Sequence, residues 1–164
     1  MMNFINQTVR RQDRLLEEDS CIELLRVGEY GFLSMRSEDG EGAYGIPLSF
    51  VWDGYSSLYV HCAPSGRKLE CLKKYPSISF CIVGKTCLIP NKFTTEYECV
   101  LLEGVAKLHL SPEERIKALK LILEKYSPND MEIGLKYTEK SFHRTEIIRL
   151  DILTCSGKCK KQNR

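Results

Sequence analysis

The sequence predicts a mainly β domain in which six antiparallel strands form a barrel and helices lie at the connections. β-rich runs outnumber helical ones along the chain, and Asp53-Gly54 between two of them is typical of a tight hairpin turn. Strands and helices do not alternate one by one, which disfavours a parallel, doubly wound fold. A chain of 164 residues is long enough for one domain with a substantial core.

Alternating apolar residues and turn signals place the strands. The six predicted strands span residues 30–35, 43–52, 57–62, 77–88, 96–110 and 146–153. Pro47 lacks an N–H, so the second strand should lie at a sheet edge or be interrupted there. Free backbone at that edge could meet the polar edge of a planar ligand whose face Ile46 and Leu48 cover, although a plain edge-strand proline is common. Gly104 predicts a bulge or a close approach in the fifth strand.

Three helices are predicted at the connections. The first spans residues 20–27 and ends at Gly28, and the second spans residues 64–75 and is stopped by Pro76. The third begins after Ser111, which offers an N-cap followed by a proline at the first helical position and by Glu114 three residues after the cap. It should end near residues 126–128.

Charge and hydropathy limit the classes of partner. Lys and Arg number 24 against 22 Asp and Glu, a net charge of +2 that disfavours a dedicated nucleic-acid-binding protein. No apolar run approaches the roughly 20 residues of a membrane span. The N-terminus lacks the pattern of a signal peptide, so we expect a cytoplasmic protein without a membrane partner.

Basic residues gather near both ends and are interpreted as solvated segments. The expected organisation is an N-terminal arm over residues 1–18, one domain over residues 19–157 and a basic tail over residues 158–164. The basic residues concerned are Arg10, Arg11, Arg14, Lys158, Lys160, Lys161 and Arg164.

Eight cysteines are unusual for a chain of this size. Without an export signal, and with apolar neighbours around several of them, they are interpreted as reduced core residues. No C-x-x-C pair occurs, and Cys155 and Cys159 lie far in sequence from His109 and His143. A zinc site is therefore disfavoured.

One glycine motif is rejected. Residues 40–45 match G-x-G-x-x-G, but a dinucleotide site needs these glycines between a strand and a helix. Here they lie between two predicted strands, and Pro47 follows too closely for a helix to begin. The motif is interpreted as a hairpin loop.

A candidate anion site follows the third predicted strand. That strand delivers His61, and a helix then begins around Ser65, Gly66, Arg67 and Lys68. Backbone N–H groups at a helix N-terminus, a hydroxyl and two cations suit a phosphate, which Gly66 would let approach closely. The alternative, that Arg67 and Lys68 are surface charges of an amphipathic helix, is equally compatible with this local pattern.

Several segments in this order resemble the flavin-binding split barrels of the pyridoxamine-phosphate-oxidase-like superfamily, most closely its nitroimidazole-resistance, or nitroimidazole-reductase-like, proteins. The resemblance spans roughly residues 11–157. It is sharpest in Gly-Ile-Pro-Leu-Ser-Phe at 45–50, Leu-Tyr-Val-His-Cys-Ala at 58–63 and Gly-Arg-Lys-Leu at 66–69. Phe-Thr-Thr-Glu-Tyr at 93–97, the strand of Gly104 and Ser-Gly-Lys at 156–158 fit the same pattern.

The resemblance implies a split barrel that forms a homodimer with two FMN molecules at the subunit interface. In it, Ser65, Arg67 and Lys68 would take the phosphate. The flavin ring would lie along Ile46, Pro47 and Leu48, while Val60, His61 and Cys62 would line the same pocket. Cys99 falls where relatives direct a polar side chain towards the flavin or the partner subunit.

The chain departs from true pyridoxamine-phosphate oxidases in its second strand. Those enzymes carry Arg and Lys there, whereas residues 37–66 of this chain contain neither. A vitamin B6 phosphate substrate is therefore disfavoured, and FAD remains possible in place of FMN.

The expected function is flavin-dependent redox chemistry on a small molecule, with nitro reduction as one form of it. His61, with an ordinary pKa near 6.5, could donate a proton to the reduced group or bind an anionic substrate. It could instead be a structural histidine that satisfies a backbone carbonyl. Two other functions stay open: a flavin or haem carrier with His61 or His143 as axial ligand, and a cysteine-rich metal-binding module.

Overall fold

The computed structural model describes residues 2–161, and within them seven strands and four α-helices follow one another. The strands are β1 (Tyr30–Arg36), β2 (Ala43–Ser49), β3 (Val51–Trp52), β4 (Ser57–Cys62), β5 (Ser77–Ile89), β6 (Thr94–Lys107) and β7 (Glu146–Lys160). The helices are α1 (Glu18–Val27), α2 (Arg67–Lys74), α3 (Pro112–Tyr126) and α4 (Met131–Ser141).

All strands join one antiparallel sheet in the order β2-β1-β5-β6-β7-β4-β3. The sheet curves so that its edge strand β2 approaches β4 without pairing to it. This gives the predicted mainly β split barrel, open along a line between β2 and β4. The position of Pro47 in an edge strand is confirmed, because β2 is the first strand in the sheet order.

The core fills the inside of the curved sheet. Its fully buried members include Leu33, Phe80, Leu102 and Leu150 from four different strands. A second cluster on the outer side of β4 and β7 joins Tyr59 and Ile147 to the apolar face of α3. β4 is therefore covered on both faces, which explains its run of consecutive buried residues.

The predicted second strand over residues 43–52 is wrong in one respect, because it breaks at Phe50 into two strands and the sheet has seven strands rather than six. β2 pairs with β1, and the two residues of β3 pair with β4 across the predicted Asp53-Gly54 hairpin. The Phe50 ring is fully buried against Phe80. The Phe50 backbone N–H donates to the Tyr126 hydroxyl at 3.0 Å. A side chain of α3 therefore accepts the hydrogen bond that a neighbouring strand would otherwise accept.

α4 is a fourth helix where only three were predicted. Its large apolar residues Ile133 and Tyr137 are exposed, so no clear amphipathic stripe marks it in the sequence. Gly134 also lowers helix propensity, but here it allows close packing on α3, since a Cβ would lie 2.7 Å from Leu123 Cδ2.

The closing strand is longer than predicted, because β7 continues to Lys160 rather than ending at residue 153. Its pairing with β6 resumes after a register shift at Glu103/Gly104, which confirms the predicted bulge. Residues 158–160, expected in a basic tail, therefore belong to the sheet. Residues 162–164 of that predicted tail lie outside the described residues.

Two further sequence predictions, the hairpin loop and the N-cap of α3, are confirmed. The motif over residues 40–45 closes the β1–β2 hairpin, and the Ser111 hydroxyl accepts a hydrogen bond from the Glu114 N–H at 3.2 Å at the start of α3. All eight cysteines lack disulfide bonds, but their interpretation as core residues holds only in part, because only Cys21, Cys71 and Cys155 are buried and Cys87 is exposed. The structure shows no group of His, Cys, Asp and Glu side chains within residues 2–161 that could hold a metal ion. No helix among these residues is long and apolar enough to cross a bilayer.

Candidate functional site

Two adjoining cavities lie where β4 runs into α2, beside the split in the barrel. The smaller, of about 110 Å³, extends from Tyr44 on β2 to Ser65, Gly66 and Arg67. The larger, of about 410 Å³, has His61 in one wall and Arg144 with the end of α4 in another. Both cavities are lined by Cys62, Ala63 and Lys68. The structure thus brings together six predicted site residues, His61, Cys62, Ser65, Gly66, Arg67 and Lys68.

The smaller cavity, at the start of α2, has a lining that suits an anion and is termed the anion cradle. Gly66 precedes the helix with φ 139°, a conformation that L side chains rarely adopt, and a Cβ there would meet nothing within 4 Å. No side chain caps α2, so the backbone N–H groups of Arg67 and Lys68 remain open to a ligand, whereas that of Leu69 donates to the Gly66 carbonyl at 3.0 Å. Within residues 2–161, neither Arg67 nor Lys68 forms an ion pair. The Arg67 guanidinium lies 4.3 Å from the centre of the Tyr44 ring, which holds it at the cavity wall.

His61 lies on the opposite face of β4 from the core and opens into the larger cavity. Partial burial lowers its pKa from the ordinary 6.5, and the nearby Lys68 ammonium lowers it further. The imidazole is therefore neutral near pH 7. Its ring makes no hydrogen bond within the described part of the chain, so the alternative of a histidine that satisfies a backbone carbonyl finds no support there.

The predicted flavin-ring residues on β2 do not share one face. Ile46 and Leu48 are half-buried and pack against the core, whereas the exposed Pro47 lies on the outer face opposite Phe32. What they share is the unpaired backbone edge of β2, which faces the split. Val60 is fully buried in the core and lines neither cavity.

Cys99 lies away from the cavities, on the outer face of β6. It is diagonal to Cys81 across the β5–β6 ladder, because Val83 pairs with Cys99 and Cys81 with Leu101. A hydrogen bond between the two thiols lowers the pKa of Cys81 to about 7 and raises that of Cys99. Cys81 belongs to a row that crosses the outer face from Pro47 through Phe32 and Leu101 to Ser156, and Cys99 lies beside this row.

The outer face of β1, β5 and β6 carries several exposed apolar side chains. Tyr30 is 58% exposed, Phe32 45%, Val83 53% and Leu101 40%. Apolar side chains grouped on one face of a sheet are typical of a surface that another chain covers.

A wider cavity, of about 1070 Å³, lies elsewhere, where the strand break meets the ends of α1 and α3. Lys125 lines it, and burial lowers the pKa of its amine from 10.5 to about 8. The Lys125 ammonium donates to the Phe50 carbonyl at 2.9 Å and lies 3.9 Å from the centre of the Phe50 ring. None of the predicted site residues lines this cavity.

Sequence reasoning missed part of the site. Tyr44, Tyr137, Ser141, Arg144 and Thr145 line the two cavities but were not among the predicted site residues. Tyr44 had a local signal, since it belongs to the stretch that carries the anion motif. The other four come from α4 and the turn after it, roughly 75 residues further along the chain, and only the fold brings them near His61.

The chain is similar to known proteins in both sequence and structure. A sequence model of the pyridoxamine 5'-phosphate oxidase family matches residues 17–159. No curated protein sequence matches the chain.

Solved structures share the fold at low identity. A candidate 5-nitroimidazole antibiotic resistance protein from Bacteroides thetaiotaomicron superposes with a TM-score of 0.74 at 17% identity, over 89% of this chain and 86% of that one. The flavocytochrome Anf3 from Azotobacter vinelandii gives 0.77 at 17% identity, over 99% of this chain and 77% of that one. An FAD and heme binding protein from Mycobacterium smegmatis gives 0.76 at 14% identity, over 91% and 74% respectively.

Proposed function

Because the chain belongs to the pyridoxamine 5'-phosphate oxidase family, we propose that it is a flavin-dependent oxidoreductase that reduces a small molecule, with nitroimidazole-type nitro groups as candidate substrates. The observation that carries the proposal is the anion cradle of Gly66, Arg67 and Lys68, which lies beside the unpaired edge of β2. A phosphate and a planar polar ring are the two parts of a flavin that such a corner suits.

The cradle residues fit FMN. Ser65, the open N–H groups of α2 and the side chains of Arg67 and Lys68 would hold the phosphate. The backbone of residues 46–48 would hydrogen-bond the polar edge of the ring. FAD, whose flavin half carries the same phosphate, is distinguished from FMN by the mass of the extracted cofactor.

The proposed site needs a second copy of the chain. About 110 Å³ at the cradle accepts a phosphate but falls below the roughly 300 Å³ at which small-molecule pockets begin. The exposed apolar face of β1, β5 and β6, which carries the Cys81–Cys99 pair and continues to Pro47 on β2, is the surface that we assign to the dimer. Cys99 would then lie at the interface.

The protein's own part in the reaction falls to His61. When bound, the flavin supplies the hydride or the electrons. The neutral imidazole of His61 can donate a hydrogen bond through its one N–H to an oxygen of the substrate, and it becomes a proton donor when it is protonated. Lys68 disfavours that charged form until a negative group enters the cavity.

The test is anaerobic reduction of the flavin-loaded protein followed by addition of a nitroimidazole. We expect reoxidation faster than that of free flavin, and His61→Ala should keep the flavin but slow this step about 10²-fold, the low end for a lost general acid. His109→Asn is the control, since His109 has φ 57°, which Asn tolerates, and lines neither cavity. Reoxidation no faster than free flavin would refute the reductase function.

A second function is a flavin or haem carrier. The exposed, unbonded imidazole of His61 is available as an axial ligand, and two of the structural neighbours are described as a flavocytochrome and as an FAD and heme binding protein. Absorbance separates the two proposals, because haem adds an intense band near roughly 410 nm that flavin lacks.

A further inference from the structure

The larger of the two cavities is rich in positive charge. Lys68 and Arg144 line it together with His61, and no carboxylate does. Among residues 2–161, neither Lys68 nor Arg144 has an ion-pair partner, and the Tyr137 hydroxyl has no hydrogen-bond partner. Two uncompensated cations and a free hydroxyl on one concave surface suit a bound oxyanion.

The carboxylate nearest in the sheet is already neutralised. Glu146 pairs with Cys62 across β4 and β7, and its side chain lies 3.5 Å from the Arg115 guanidinium. Arg115 also donates to the carbonyls of Phe142, at 3.1 Å, and Thr145, at 2.5 Å. Arg115 therefore neutralises the Glu146 carboxylate. It also fixes the turn at Phe142–Arg144, which sets the position of Arg144.

Protonation of the His61 imidazole depends on the same charged groups. The groups around it are Lys68 from α2, Tyr137 from α4, Arg144 from the turn, Cys62 on its own strand and the paired Glu146 on β7. A bound anion would oppose the effect of Lys68 and favour the protonated imidazole. Anion binding and protonation of His61 should therefore strengthen each other as the pH falls below neutral.

We infer that this cavity binds a carboxylate group of the substrate, so that the protein prefers small anionic molecules to neutral ones of the same shape. The inference rests on the proposed function, and it adds the substrate class. A volume of about 410 Å³ is within the range of small-molecule sites, and the shared residues Cys62, Ala63 and Lys68 place the cavity next to the phosphate cradle. A carboxylate here would bring the rest of the substrate towards the proposed ring site.

The test compares benzoate with benzamide, which differ mainly in charge, by following the imidazole signals of His61 by NMR during titration. We expect benzoate to bind at least about fivefold more tightly, the size of one partly exposed ion pair, and to raise the pKa of His61. Arg144→Gln should lose about that factor for benzoate. Lys140→Gln, which removes the same charge from α4 outside the cavity, should keep it.

Three results would overturn the inference: equal affinity for the two probes, wild-type benzoate affinity in Arg144→Gln, or loss of benzoate binding once flavin is loaded. The last would assign the cavity to the cofactor. The titration is run on both flavin-loaded and flavin-free protein. A failure of the proposed function, seen as absence of flavin binding, is therefore distinguishable from a failure of the anion cavity.

Discussion

At the scale of single residues, Phe50 decides how the chain divides between two sheet edges. Its buried ring anchors it to Phe80, and the Tyr126 hydroxyl and the Lys125 ammonium take its backbone groups. These partners lie 75 and 76 residues away, so an alternation pattern read along residues 43–52 could not reveal the break. The same packing places the Lys125 amine between aromatic rings and partly out of water.

Lys125 should give stability a particular dependence on pH. Burial lowers its pKa from 10.5 to about 8, so between these values the unfolded chain binds more protons than the folded one. The free energy of unfolding contributed by this group therefore rises as the pH increases from about 8 towards 10.5. Urea unfolding of wild type and Lys125→Met at pH 7 and pH 9.5 measures this. The wild type should gain relative to the variant at the higher pH, and a difference that does not change with pH would contradict the assignment.

At the scale of elements, the proposed site lies where the edge of one strand meets the start of one helix. The stretch over residues 44–68 is local in sequence, so the anion motif, the edge proline and the β4 strand were all predictable from it. The faces to which their side chains point were not predictable. Side chains of a strand alternate between two faces, and the burial of each face depends on what packs against it in the folded chain. This is why Val60 lies in the core and why Pro47 is separated from Ile46 and Leu48.

Flavin retention should depend on the backbone conformation of Gly66, between β4 and α2. Gly66→Ala places a side chain at φ 139° with no steric contact, so its cost is backbone strain of about 1–3 kcal/mol and a shifted cradle. Gly54→Ala is the matched control, since Gly54 has φ 85° and is equally free of contacts but lies in the hairpin turn. Both variants should lose thermal stability, and only Gly66→Ala should lose flavin on gel filtration. Equal flavin retention in the two would show that the cradle does not depend on Gly66.

At the scale of the whole molecule, the fold class followed from the sequence because the strand and turn signals agreed along most of the chain. What escaped prediction depends on contacts between distant segments. α4 is held by its packing on α3. The last seven residues of β7 are held by β6 and by close packing on α1 and the N-terminal arm, since a Cβ at Gly157 would clash with Cys21 of α1 and Leu16 of the arm. The larger cavity combines His61 with four residues from α4 and the turn after it. Predicting this cavity therefore also required the assembled fold.

The exposed apolar face should mediate dimer formation. Leu101→Lys puts a charge in the row that crosses the outer face from Pro47 to Ser156, where burial against a second copy would leave the ammonium unpaired. Sedimentation should show a dimer for the wild type and a monomer for the variant, with flavin lost in parallel. Tyr55→Lys, at a hairpin position that is 79% exposed, should remain dimeric. A monomeric wild type that retains flavin would contradict the shared site.

The most direct test of the phosphate cradle compares the dissociation constants of FMN and riboflavin, which lacks the phosphate. The account predicts that wild type prefers FMN by about 10²-fold or more, since two charge-assisted contacts contribute about 3 kcal/mol together. Arg67→Ala with Lys68→Ala should abolish the preference, whereas Lys73→Ala with Lys74→Ala, at the other end of α2, should keep it. An unchanged FMN preference in the first double variant would contradict the placement of the flavin phosphate at this helix.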